Sequence, residues 1–285
     1  MKKITTVTLQ EMKQRGEKIT ALTAYDATFG YLEDQAGVEV ILVGDSAAMV
    51  IAGETTTLSA TMEQMLYHTH CVSRGVKRAL LVADMPFLSF QITPEEALHN
   101  AGRFLAESGA EAVKVEGGIP VIDAVKRLVD VGIPVMGHLG LTPQSIHHFG
   151  GWGVRARDRR EADRLLEDAL ALENAGAFSI VLEKIPAPFA AEVTRTLKIP
   201  TIGIASGPEC DGQVLVNYDM LGLYEQMSLK FVRKYRHLGE EVRNAVKEYV
   251  QDIKKGDFPS VDESYDIDTK THDHQPQYPR ASKTD

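Results

Sequence analysis

Short apolar runs rich in β-branched residues, bounded by Gly or Pro, recur along the chain, and several stop on one polar or charged residue. VILVGDS ends on Asp45 and Ser46, LLVADMP on Asp84, AVKVEGG carries Lys114 and Glu116, VMGHLG reaches His138, and SIVLEKIP ends on Glu183. Runs of this kind without alternation mark parallel strands covered on both faces. Strands are expected near 20–25, 39–44, 79–84, 112–116, 134–138, 179–183 and 200–205, with a weaker one near 213–217.

The intervening stretches have helix ends. Thr93-Pro94-Glu95-Glu96 supplies an N-cap, a proline at the first helical position and a carboxylate three residues after the cap, predicting a helix over 94–108 that stops at Gly109. Thr61 to Arg74 opens on a Thr-x-x-Gln box, repeats apolar residues at Met62, Met65 and Leu66, and stops at Gly75. Val121 to Val131 before Gly132, and Leu165, Leu166, Ala169 and Leu172 before Gly176, repeat the pattern. Strand–helix alternation sustained over roughly 235 residues predicts an α/β fold, a (β/α)8 TIM barrel, in preference to an open doubly wound sheet. An extra N-terminal helix over 8–15, opened by Thr8-Leu9-Gln10-Glu11, is expected to plug the barrel floor.

The sequence reads as one barrel domain over 1–261 followed by a polar tail over 262–285, poor in apolar residues and expected to be disordered. No apolar stretch approaches the length that spans a bilayer, and MKKITTVTLQ lacks the apolar core of a signal peptide, so no membrane partner and a cytoplasmic location are expected. A net charge of −9 with no dense Lys/Arg run argues against nucleic acid as a partner. The nearest candidate, RARDRREADR from Arg155 to Arg164, interleaves acids at helical spacing and reads as a solvated loop and helix start. Cys71 and Cys210 are too few for a disulfide framework and read as reduced, structural thiols.

In a barrel, the polar strand ends meet at one mouth. Asp45, Asp84 and Glu116 would then crowd three carboxylates together, which is unfavourable unless they hold protons or a cation neutralises them. Oxygen-only ligands with room for water or substrate suit Mg²⁺. Taken singly, each acid could equally serve a capped turn or a salt bridge. Lys114 stands two residues before Glu116, so both point to the interior, where the lysine requires an anion: a neighbouring acid or a substrate carboxylate. Glu183 suits a general base or a partner for His138 or Lys114 across the barrel, while Lys184 should point the other way. His138 could donate to a substrate oxygen or orient a carboxylate, and Ser46 could offer its hydroxyl and N–H to an anion. Ser46 lacks a Gly-x-Ser-x-Gly context, which excludes a nucleophile role. His68 and His70 stand two apart on a helix and do not make a zinc pair. GIASGPECDG, from Gly203 to Gly212, is a weak phosphate-loop signal. The set reads as metal-assisted proton abstraction beside a carbonyl.

TAYDATF, VGDSAAM, Thr57-Leu58, YHT, ADMPF, VKVEGG, GHLGLTPQS and DGQVLV together resemble, in order and spacing over about residues 4–255, the ketopantoate (3-methyl-2-oxobutanoate) hydroxymethyltransferase family. The resemblance implies a Mg²⁺ ion on Asp45, Asp84 and Glu116, directly or through water, and small-molecule substrates. It implies 3-methyl-2-oxobutanoate bound by Asp45 through that ion and by Ser46, Asp84, Lys114 and His138, with Glu183 as proton acceptor. The product implied is 2-dehydropantoate for pantothenate synthesis, formed with 5,10-methylenetetrahydrofolate as co-substrate, in a homodecamer built as a pentamer of dimers. Ala48 stands where a glycine is common, and Ala205-Ser206 where a Gly-Ala pair is usual. The competing readings are a Mg²⁺-dependent lyase of the isocitrate lyase and phosphoenolpyruvate mutase group, whose Lys-Cys-Gly-His loop is absent, and a catalytically silent barrel.

Overall fold

The structure, a computed structural model, describes residues 2–225 and 229–265. Eight parallel strands close into a barrel in sequence order: β1 (Ile19–Thr23), β2 (Val40–Val43), β3 (Leu80–Asp84), β4 (Ala112–Glu116), β5 (Val135–Gly140), β6 (Ser179–Glu183), β7 (Thr201–Ile204) and β8 (Gly212–Leu215), with β8 pairing back to β1. The helices are α1 (Thr6–Arg15), α2 (Ala27–Ala36), α3 (Ala47–Val50), α4 (Met62–Ser73), α5 (Pro94–Arg103), α6 (Ile122–Asp130), α7 (Ile146–Phe149), α8 (Arg159–Asn174), α9 (Ala187–Thr196), α10 (Asn217–Met220) and α11 (Leu238–Lys255). Closure decides between the two α/β architectures the sequence allows, in favour of the TIM barrel.

By its internal contacts the chain divides into two units, Met1–Arg236 and His237–Asp285. All eight strands lie in the first, and α11 lies in the second. The expected tail beyond 262 falls outside the described residues except for 262–265, which are exposed. Among the described residues no helix is long and apolar enough to cross a membrane.

Strand parity builds two cores. Alternate residues point inward, so Ile19, Val40, Leu42, Leu80, Val82, Ala112, Met136, Val181, Ile202 and Val214 fill the barrel as one cluster, joined by Leu9 and Met12 of α1. The floor plug is therefore where the sequence places it. The opposite parity, with Ile41, Leu81, Val113, Val135 and Ile180, packs on Met65, Phe104, Leu128 and Leu172 from the surrounding helices.

Local differences have physical causes. α1 starts two residues earlier than expected because Thr5, not Thr8, is its N-cap: Thr5 Oγ1 accepts from the Thr8 N–H at 3.3 Å, and Thr8 Oγ1 accepts from the Thr5 N–H at 3.2 Å. The expected helix over 94–108 is α-helical only to Arg103 and finishes as a π-turn, Phe104–Ser108, before Gly109. Between β7 and β8 the chain returns through a loop without a helix, in which Lys18 Nζ donates to the Cys210 carbonyl at 2.6 Å and Lys13 pairs with Asp211 at 2.7 Å. GIASGPECDG thus serves this return.

Candidate active site

The closed register converts scattered strand ends into lateral neighbours. Asp84 is the register partner of Lys114, Glu116 of His138, and Gly140 of Glu183. All four pointed-in side chains, Asp84, Lys114, Glu116 and His138, are buried, as is Asp45 just past β2. Together with Ser46 and Glu183 they line one cavity of about 220 Å³ at the C-terminal mouth, so the seven residues expected for the metal, the substrate and the proton converge there.

Two glycines permit this approach. A Cβ on Gly44 would stand 2.6 Å from Ser46 Oγ, and one on Gly140, whose φ is +93°, would stand 2.2 Å from the Glu183 carbonyl oxygen. The Leu141 N–H donates to that same Glu183 carbonyl at 2.9 Å, fixing the end of β6.

Lys114 Nζ lies 3.0 Å from Asp84 Oδ1, an ion pair without hydrogen-bond alignment. Burial opposes charge on Lys114, but Asp84, Glu116 and Asp45 outweigh it and raise its pKa. Burial, then Asp84 and Glu116, push the Asp45 carboxyl up to about 8. Burial likewise raises Asp84, against the pull of Lys114. Glu116 moves down, because His138, Lys114 and the Gln144 N–H overcome its burial.

His138 stands between two acids, with Nδ1 3.3 Å from Glu116 Oε1 and Nε2 3.2 Å from Glu183 Oε2. Burial and Lys114 oppose its protonation, yet these two carboxylates raise it to about 9. Lys114 Nζ also lies 3.2 Å from His138 Nδ1. That nitrogen cannot both accept from Lys114 and donate to Glu116, and the two flanking acids favour the imidazolium. The alternatives open in the sequence thus coexist: Lys114 has an acid partner and Glu183 faces His138, while both still line the cavity.

Several functional candidates were not visible in the sequence. Gln144 Nε2 donates to Asp45 Oδ2 at 2.9 Å and to the Met85 carbonyl at 3.0 Å, its N–H donates to Glu116 Oε2 at 2.9 Å, and its Oε1 accepts from Gln91 Nε2 at 3.0 Å. It is neutral and lies in a 3-10 turn, Pro143–Ser145, after β5, so no strand-end signal marks it. Thr57 lines the cavity with a buried, unpartnered hydroxyl. Tyr25 is buried with its hydroxyl 2.8 Å from Ser46 Oγ. Lys184, expected to point the other way, lines the same cavity as Glu183, because the strand and its parity end at Glu183; its Nζ donates to the Trp152 carbonyl at 2.8 Å.

Other candidates go elsewhere. His68 Nδ1 is 2.8 Å from the Tyr25 carbonyl. Arg159 pairs with Asp163 and Glu192, and Asp158 caps α8, the solvated helix start expected of RARDRREADR. Ala205 has φ 55°, and Ser206 Oγ donates to the Leu182 carbonyl at 2.7 Å.

Among the described residues no three His, Cys, Asp or Glu side chains are arranged to hold a metal ion by themselves. The donor set nonetheless fits a hard dication that keeps water and substrate as further ligands. Five carboxylates, Asp45, Asp84, Glu116, Glu183 and Asp219, line the cavity with three basic side chains, Lys114, His138 and Lys184. Asp84 Oδ1 and Glu116 Oε1 are buried acceptors without hydrogen bonds. A divalent cation would cancel the excess negative charge.

The sequence pattern described as ketopantoate hydroxymethyltransferase matches residues 3–261. A 3-methyl-2-oxobutanoate hydroxymethyltransferase of Chlorobium luteolum is 55% identical over 266 residues, covering 92% of this chain and 96% of the relative. Its counterpart from Prosthecochloris aestuarii is 57% identical, with the same coverage of 92% and 96%. Among solved structures, phosphonopyruvate hydrolase in complex with oxalate and Mg²⁺ superposes with a TM-score of 0.59 at 14% identity, covering 92% of this chain and 93% of that one, a likeness of fold alone.

Proposed function

The chain belongs to the ketopantoate hydroxymethyltransferase family and is a hydroxymethyltransferase, and from that premise we propose that its cavity transfers a one-carbon unit from 5,10-methylenetetrahydrofolate to 3-methyl-2-oxobutanoate with the help of Mg²⁺. The observation that carries this reading is the separation of roles around one cavity: an acid cluster with Lys114 at the ends of β2, β3 and β4, and a separate carboxylate, Glu183 on β6, set against His138. Asp45 and Asp84, with Glu116 directly or through water, would hold the ion. When bound, it supplies Lewis-acid polarisation of the substrate's keto oxygen.

Lys114 provides a cation for the substrate carboxylate, and Ser46, held by Tyr25, offers a hydroxyl. Glu183 takes the proton from C3, and the charge left behind develops towards the keto oxygen, near the imidazolium of His138. Water adds to the methylene carbon as its two C–N bonds to the carrier break and tetrahydrofolate leaves, and C3 attacks the resulting formaldehyde carbon, whose oxygen takes up a proton as the new hydroxyl. Family membership supports extending to this chain a role in pantothenate synthesis, a cytoplasmic location and a homodecamer.

Incubation with Mg²⁺ and 3-methyl-2-oxobutanoate in D₂O, with and without tetrahydrofolate, tests this by NMR of the C3 proton. Exchange is expected, as is 2-dehydropantoate once methylenetetrahydrofolate is supplied. Absence of both would exclude the transferase reading.

Gln144 makes a separate prediction. Its amide orientation is fixed, since the Met85 carbonyl requires an N–H donor and Gln91 supplies a donor to the other end. It therefore holds Asp45 as an acceptor facing the cavity. Gln144→Met should weaken the binding of Mn²⁺, an EPR-visible stand-in for Mg²⁺, by roughly 10- to 100-fold. Unchanged Mn²⁺ affinity would remove Gln144 from this role.

A further inference from the structure

The cavity has two chemically different parts. The carboxylate, ketone and branched alkyl group of a small 2-oxo acid are matched by the charged floor and by Leu42, Val181 and Val214, interior side chains that line the same space. The rest of the wall includes Met49, Val50, Trp152, Leu215 and Phe231, with Lys184 among them and Asp219 and Tyr224 also on the lining. These aromatic and aliphatic surfaces have no counterpart on so small an anion.

Lys184 is the residue that organises this part. It follows Glu183 directly and adopts φ 50°, a left-handed conformation that disfavours any residue with a Cβ. Such strain persists where the surroundings over-determine it, and it gathers at ligand clamps. Here the surroundings are specific: the Lys184 N–H donates to the Ile204 carbonyl at 2.9 Å, and its carbonyl accepts from the Arg155 N–H at 2.9 Å. Its Nζ donates to the Trp152 carbonyl at 2.8 Å and stands 5.8 Å from the centre of the Phe231 ring. One lysine thus ties the Gly-Gly-Trp-Gly segment and the Phe231 segment to the strand that ends in Glu183. Its ammonium has donors left after the Trp152 bond.

We propose that Trp152, Lys184 and Phe231 form the subsite for the second substrate, receiving the flat conjugated rings of a reduced folate on the aromatic side chains and a carbonyl or carboxylate of that ligand on the Lys184 ammonium. The inference rests on the transferase reading. It adds where the one-carbon carrier sits: on the Glu183 side of the mouth, away from the acid cluster.

The chain holds one tryptophan, so its fluorescence reports on the subsite. In the full-length protein with Mg²⁺ and 3-methyl-2-oxobutanoate, tetrahydrofolate should quench Trp152 emission saturably, beyond the loss seen with free N-acetyltryptophanamide. Phe231→Ala and Trp152→Leu should each raise the KM for methylenetetrahydrofolate roughly tenfold. Both should retain folate-independent C3 exchange in D₂O and the wild-type KM for 3-methyl-2-oxobutanoate. Quenching no greater than that of the free indole, an unchanged folate KM in both variants, or loss of exchange along with it would overturn the subsite. Absence of exchange and product in the wild type would instead overturn the transferase reading itself.

Discussion

Glu183→Gln is expected to abolish C3 exchange, a loss of roughly 10²- to 10⁴-fold, with the affinity for 3-methyl-2-oxobutanoate retained. The substitution is nearly isosteric. It leaves the backbone anchor from Leu141 to the Glu183 carbonyl in place and keeps a polar end beside His138. What it removes is the proton acceptor. A competing role for Glu183, orienting His138 only, makes a different prediction. His138 is raised to about 9 in part through Glu183, so the variant should lower the His138 pKa, which NMR of the imidazole can follow. If exchange persists while that titration moves, Glu183 is an orienting residue and the base lies elsewhere. If binding of the 2-oxo acid, read by calorimetry, falls with the rate, the side chain contributes to affinity and not to proton transfer alone.

What the sequence reveals about this site, and what it hides, follows from what each signal depends on. Lys114 and Glu116 could be placed inside the barrel from their spacing alone, because side-chain parity is local to a strand. The partner of Lys114 could not, since it depends on the register that sets Asp84 against it. The bounds of β4 and β6 match the apolar runs, whereas β5 runs on to Gly140 because its pairing with β6 continues through Leu139 and Gly140. The π-turn at Phe104–Ser108 is hidden because Gly109 stops an α-helix and a π-turn alike. The roles of Gln144, Thr57 and Lys184 go unread for one shared reason: they lie in a partner, a missing partner or a backbone angle, none of which is written in residue type.

Lys114→Met is expected to lower stability by about 3–5 kcal/mol, the usual consequence of stranding one member of a buried ion pair. Lys114 and Asp84 side chains are each 5% exposed, so water does not screen the carboxylate left behind. The methionine stem fills most of the lysine's space, which keeps cavity formation from dominating. At the usual size scaling the melting temperature should fall by about 5–8 °C. Adding Asp84→Asn to Lys114→Met should restore most of that stability, because it removes the stranded charge, while binding of 3-methyl-2-oxobutanoate stays weakened by at least roughly 10- to 100-fold through loss of the ammonium and of an acid that would hold the ion. Divalent metal offers an independent check. A dication held by Asp45 and Asp84 would neutralise the carboxylate that Lys114 leaves, so Mg²⁺ should raise the melting temperature of the single variant more than that of the wild type. A Lys114→Met protein as stable as wild type, or one that Mg²⁺ stabilises no further, would mean that the acid cluster does not depend on Lys114 for its charge balance.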